Sequence, residues 1–147
     1  EISECLVGSE MCIRDRLSLC PFKERSIMSL SGGEAQKVFI GRALAQKTPL
    51  LLLDEPISML DVHNSIELLS RLQAIKEKYG LTVIMVLHDL NLAFQYCDHI
   101  VLLEKGEVVL AGEKEKVLKS EKLQDVYKHK LKIIEDFPHT YIVPKID

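Results

Sequence analysis

A run of four leucines leads directly into two carboxylates and a proline, Leu50-Leu51-Leu52-Leu53-Asp54-Glu55-Pro56, and this constrains the chain more than any other feature. A continuous apolar run bounded by turn residues is expected to form a strand buried on both faces, as in a parallel sheet. Proline has no N–H to give to a ladder, so the strand should end there. Asp54 and Glu55 then stand at the carboxyl end of the strand, the edge of an open α/β sheet where ligands bind. Adjacent acids are costly unless something positive meets them, and a hydrated metal ion is a common partner. A plain core strand leaving through an acidic turn fits the same residues, so the flanking sequence has to decide.

Upstream lies Leu30-Ser31-Gly32-Gly33-Glu34-Ala35-Gln36-Lys37. Ser31 and Glu34 have capping-box spacing, which predicts a helix start. Glycines in the first turn let another group approach the backbone closely. A helix N-terminus with free N–H groups is an anion site, and phosphate is the obvious anion. An ordinary capped helix would look the same. Downstream, Asp61 to Tyr79 reads as an amphipathic helix with Ile66, Leu68, Leu69, Leu72, Ile75 and Tyr79 on its apolar face, stopped by Gly80.

Leu81 to Leu87 is β-branched and apolar, and predicts a second buried strand. It ends in His88-Asp89, again a polar pair at a strand's carboxyl end. Leu90 to Asp98 reads as a short helix. Lys105-Gly106 is a two-residue turn between Ile100–Glu104 and Glu107–Leu110, so the sheet is expected to gain an antiparallel edge. Gly112 to Lys119 and Ser120 to Lys130 read as polar helices, and Ile133 to Pro144 as a terminal strand or tail. Leu17 to Phe22 is turn-like, and Lys23-Glu24-Arg25 reads as a solvated link.

The length, 147 residues, suits one domain with its own core. Net charge is −3, so no global basic field argues for nucleic acid. No apolar run is long enough to span a bilayer, and the opening residues carry no secretion signal. Cys5, Cys12, Cys20 and Cys97 lack paired spacing and are expected to be free thiols in a reducing compartment. Cys5 to Arg16 resembles a translated sequencing adaptor, so residues 1–16 are expected to be a non-native leader. His63, His99, His129 and His139 show no metal-ligand spacing.

Leu30–Glu34 resembles the signature motif of ABC ATPases, Leu50–Pro56 their Walker B segment, Ser58-Met59-Leu60-Asp61 their D-loop, and His88 their switch histidine. The four stand in that family's order. A finer resemblance, to the ATPase subunits of iron–siderophore, haem and cobalamin importers, rests on His88–Ala93, Asp98–Leu103 and the tail segments Gly112–Val117 and Leu123–Tyr127. The resemblance implies the C-terminal part of a P-loop NTPase fold: a mainly parallel α/β sheet flanked by helices, with an antiparallel hairpin. It also implies ATP and Mg²⁺ as cofactors. Asp54 would hold the magnesium, Glu55 and His88 would be catalytic, and Ser31, Gly32, Gly33 and Glu34 would meet the nucleotide of a second subunit. Ser58 and Asp61 would act at the dimer interface. The implied partners are a second ATPase subunit, membrane permease subunits and, indirectly, a substrate-binding protein, with the chain on the inner face of the cell membrane.

On this resemblance, residues 17–46 end a helical subdomain, 47–112 form the hydrolysis core, and 113–147 form C-terminal helices and a tail. The sequence departs from the family in having no G-x-x-x-x-G-K-[ST] pattern and no glutamine before Ser31. The P-loop lysine, its phosphate-binding N–H groups and the Q-loop are therefore not among these residues. Two alternatives stay open: a catalytically incompetent dimerisation module, and the ATPase of another ABC system.

Overall fold

In the computed structural model, which describes residues 13–136 and 139–145, the capping box forms as the spacing requires. The Ser31 hydroxyl accepts from the Glu34 N–H at 3.3 Å, and Glu34 Oε2 accepts from the Ser31 N–H at 2.8 Å. Helix α2, Gly32–Ala45, runs from that cap. An earlier helical turn, α1, covers Ile13–Arg16. Strand β1, Leu50–Asp54, follows α2, then helix α3, Val62–Tyr79, and strand β2, Thr82–Val86. Asp61 caps α3 at its start, and Gly80 ends it in the left-handed conformation (φ 63°). The strands β1 and β2 pair in parallel, from Leu50 opposite Thr82 to Asp54 opposite Val86.

These elements belong to the first of two compact units, which meet in sequence between Leu87 and His88. Its core joins Leu17, Leu19, Val38, Ile40, Leu44, Leu51, Leu68, Leu72 and Ile75. Each such residue contributes on the order of 1.5–3 kcal/mol through burial. Leu17 and Leu19 lie in the stretch that reads as turn-like, yet they are among the most completely buried side chains. Of the stretch expected to be a leader, residues 1–12 lie outside the described residues, while Ile13 packs against this core and the Arg16 carbonyl accepts from Arg71.

Burial on both faces is not what the structure gives the two strands. Leu51 is buried, and Leu53 and Val83 pack with it, but Leu50, Leu52, Ile84 and Val86 are exposed at 44, 66, 56 and 47%. The alternation follows from the pleat: successive side chains leave opposite faces, and within this unit the helices cover one of them. Ile66 and Tyr79, expected on the apolar face of α3, are likewise exposed, and Ser65 is buried in their place.

The second unit holds α4 (Leu90–Tyr96), β3 (His99–Glu104), β4 (Glu107–Glu113), α5 (Lys114–Leu118), α6 (Glu121–Val126), β5 (Leu131–Asp136) and β6 (His139–Pro144). Lys105 and Gly106 both take positive φ, 52° and 84°, as the two-residue turn requires. The β3–β4 hairpin forms a sheet of its own rather than an edge of the β1–β2 pair. The tail folds back as a second hairpin, β5 against β6, where a terminal strand or tail was expected. Phe94, Ile100, Val117, Leu123 and Ile142 form this unit's core. The Asn91 side-chain amide mimics a strand: it donates to the Ile142 carbonyl at 3.0 Å and accepts from the Ile142 N–H at 2.7 Å. Cys20 and Cys97 keep their thiols and form no disulfide, and the Cys20 thiol donates to Asp15 Oδ1 at 2.7 Å; Cys5 and Cys12 lie outside the described residues.

Candidate functional site

The sequence-derived residues of the first unit occupy two neighbouring structures, the start of α2 and the turn after β1. At the start of α2 the first N–H groups have no intrahelical acceptor, and the helix dipole adds partial positive charge. Ser31 is exposed there, with Gly32 behind it. The Glu34 carboxylate is drawn back onto the Ser31 N–H, which holds its pKa below the ordinary value; Arg25, at 3.4 Å, acts in the same direction. Arg25 also donates to the Ser29 carbonyl at 2.7 Å, so the expected solvated link in fact braces the turn before the cap.

After β1, Asp54 is exposed at the strand's carboxyl end. Glu55 has φ 44°, a left-handed conformation uncommon for a side chain of its size. The chain then turns sharply: the Ser58 N–H and hydroxyl both donate to the Glu55 carbonyl, at 3.2 and 3.0 Å, while Pro56 is fully buried beneath. Strain of this kind concentrates at functional sites, and nothing in the residue pattern announces it. Asp61 Oδ1 accepts from the Asn64 N–H at 2.8 Å, and the Asn64 side-chain amide donates to both carboxylate oxygens. These bonds, the backbone one foremost, hold Asp61 below its ordinary pKa.

The glycines of α2 and the turn are in direct contact. Met59 packs on Gly32, and a Cβ on Gly33 would stand 2.5 Å from Leu60 Cδ2 and 3.2 Å from the Met59 carbonyl oxygen. Glycine at position 33 is therefore a condition of this close approach. His88 opens the second unit and is exposed; Asp89 beside it caps α4 by accepting from the Leu92 N–H at 3.0 Å.

Among the described residues, no three His, Cys, Asp or Glu side chains form a metal cluster. A single exposed carboxylate at a strand edge fits magnesium, which keeps several waters and takes one or two carboxylates together with phosphate oxygens.

The arrangement is a glycine-led helix terminus packed against the turn that follows an acidic strand end. The ABC transporter family model matches residues 11–58, which span both parts. Over those residues the chain is similar to the ABC transporter family. The chain is 38% identical, over 84% of its length and 46% of the relative's, to a petrobactin import ATP-binding protein of Bacillus anthracis. It is also 38% identical, over 91% of its length and 54% of the relative's, to the hemin import ATP-binding protein of Shewanella denitrificans. The chain thus spans about half the length of the curated relatives it matches.

Its fold matches an inward-facing metal-chelate-type ABC transporter with a TM-score of 0.78 and 32% identity, over 90% of this chain and 54% of the other. A dimeric ATP-binding cassette bound to ADP and phosphate matches at 0.59 and 34%, over 68% of this chain and 44% of the other. The fold is that of ABC ATPase cassettes, with the parallel sheet represented among the described residues by the β1–β2 pair. No helix among the described residues is long and apolar enough to cross a membrane.

Proposed function

We propose that the whole protein is the ATP-hydrolysing subunit of an ABC importer for an iron–siderophore, haem or cobalamin complex. The observation that carries this reading is the packing of Gly32 and Gly33 against Met59 and Leu60. It sets an anion-attracting helix end beside the turn that begins at Asp54 and Glu55. Phosphoryl transfer needs little covalent chemistry from a protein, and asks mainly for positioning and for neutralised charge. The petrobactin and hemin import roles of the two relatives support the iron-complex class.

In this reading Ser31, Gly32 and Gly33 offer a hydroxyl and N–H groups to the γ-phosphate of ATP held by a second subunit, with Glu34 fixing the cap. Glu55 orients and polarises the attacking water, and its left-handed backbone sets the direction of its carboxylate. Asp54 would hold Mg²⁺, mostly through water, and the cation would offset negative charge on the phosphate oxygens. His88 contacts the γ-phosphate and the attacking water. Ser58 and Asp61 act across the dimer interface. The partners are a second copy, the permease subunits and, through them, a substrate-binding protein, which places the protein on the inner face of the cell membrane. Residues 17–46, 47–112 and 113–147 serve as signature segment, hydrolysis core and C-terminal region.

One observation favours a second reading: these residues contain no G-x-x-x-x-G-K-[ST] pattern. A protein without that pattern would present Ser31–Gly33 to a partner and hydrolyse nothing itself. The test is ATP turnover by the whole gene product. Loss of turnover in Glu55→Gln with ATP binding retained supports the enzyme; absence of ATP binding in the unaltered protein supports the non-catalytic module.

A further inference from the structure

A polar chain runs alongside the glycine contact and joins the same two segments. Lys37 Nζ on α2, with a side chain only 14% exposed, donates to Asn64 Oδ1 at 2.9 Å and to Glu67 Oε2 at 3.3 Å. Asn64 and Glu67 lie three residues apart on α3, which places them on one face of the helix. An ammonium group has three donors and no acceptor, so only the carbonyl oxygen of the Asn64 amide can face it. The NH₂ of Asn64 is then turned the other way, where it donates to Asp61 Oδ1 and Oδ2 at 3.0 and 2.9 Å. The second oxygen of Glu67 accepts from Arg71 at 2.8 Å, and Arg71 also donates to the Arg16 carbonyl. Glu67 is thus held from both sides and cannot follow Lys37 freely.

We propose that Lys37 is a positioning residue: by selecting the orientation of the Asn64 amide, it fixes the Asp61 carboxylate and makes the start of α2 and the Ser58–Asp61 turn one rigid piece. Whatever occupies the helix end is then sensed at Asp61, because the glycine contact and the Lys37 chain leave neither segment free to move alone. The proposal takes from the functional reading only that these segments face a nucleotide.

The test is hydrogen exchange in the whole gene product without nucleotide, so it does not depend on whether the protein hydrolyses ATP. In Lys37→Met, the amides of residues 59–64 and of Glu34 should exchange about tenfold faster, the scale of one lost charge-assisted hydrogen bond. Amides of residues 72–79, farther along α3, should not change. Lys37→Arg, which keeps the donors, should restore protection. Asn64→Asp supplies a second variant: its new carboxylate still pairs with Lys37 but repels Asp61, so the turn should be released while α2 stays protected. Acceleration spread evenly through α3 and β1 in these variants, or no acceleration at the turn, would overturn the proposal.

Discussion

A Cβ on Gly41 of α2 would stand 2.6 Å from Cδ1 of Leu19, so the leucine occupies the space a side chain at position 41 would need. Leu19 is 2% exposed and cannot simply swing away. The pair is complementary in size, and each residue explains the other. Gly41→Leu should destabilise the chain by about 1–3 kcal/mol through overpacking. Leu19→Ala should cost about 2–5 kcal/mol through the cavity it leaves. With Leu19→Ala already in place, Gly41→Ala should become stabilising, because the methyl enters that cavity and the helix gains a better former. Urea unfolding of the single and double variants checks this; simple additivity would deny the contact.

Glu55 sits at φ 44° where glycine would be unstrained. Glu55→Gly should therefore raise stability by about 1 kcal/mol while abolishing ATP turnover in the whole protein. Melting temperature and phosphate release, measured on the same samples, should move in opposite directions. A loss of stability would mean that the turn does not store strain.

Three carboxylates in the first unit are pulled below their ordinary pKa: Glu34 by the Ser31 N–H, Asp61 by the Asn64 N–H, and Glu67 by Arg71 with help from Lys37. A depressed folded-state value means that these groups stabilise the fold fully above the unfolded value, near pH 4. That contribution is lost as pH falls through the folded values. Stability should hold from neutral pH down to about pH 5 and decline below about pH 4. Asp61 is exposed and Glu34 half-buried near the surface, so added salt should weaken their share. Glu67→Gln should lower stability at neutral pH and make the acid limb shallower, as read from urea midpoints against pH.

Leu50, Leu52, Ile84 and Val86 form a contiguous exposed face on the β1–β2 pair. Apolar surface of this kind promotes association, and paired strands add an open edge. The 147-residue chain should self-associate when purified alone, and Leu52→Thr with Ile84→Thr should raise the monomeric fraction. Light scattering on both proteins decides it; a monodisperse, cooperatively melting unaltered chain would contradict the expectation.

The elements legible in sequence are those with a local cause. Ser31 and Glu34 specify a cap by spacing alone, Gly80 ends α3 because it accepts positive φ, and Lys105-Gly106 turns the hairpin for the same reason. Leu17 and Leu19 were hidden because an irregular segment has no period to show which side chains point inward. Half-exposure of β1 and β2 was hidden because an all-apolar strand shows no difference between its faces. The tail hairpin lacks a glycine or asparagine turn pair. At the site, the residue types were readable, but Lys37, Arg25 and Asn64 act through contacts with residues distant in sequence or through side-chain orientation, which spacing does not encode.

The most direct test of the central claim is the ATP-dependent association state of the whole gene product carrying Glu55→Gln. Gel filtration with ATP and magnesium should show a stable dimer, and adding Ser31→Arg should abolish it by blocking the helix end with a bulky cation. A Glu55→Gln protein that stays monomeric and turns over ATP at the unaltered rate would contradict the account.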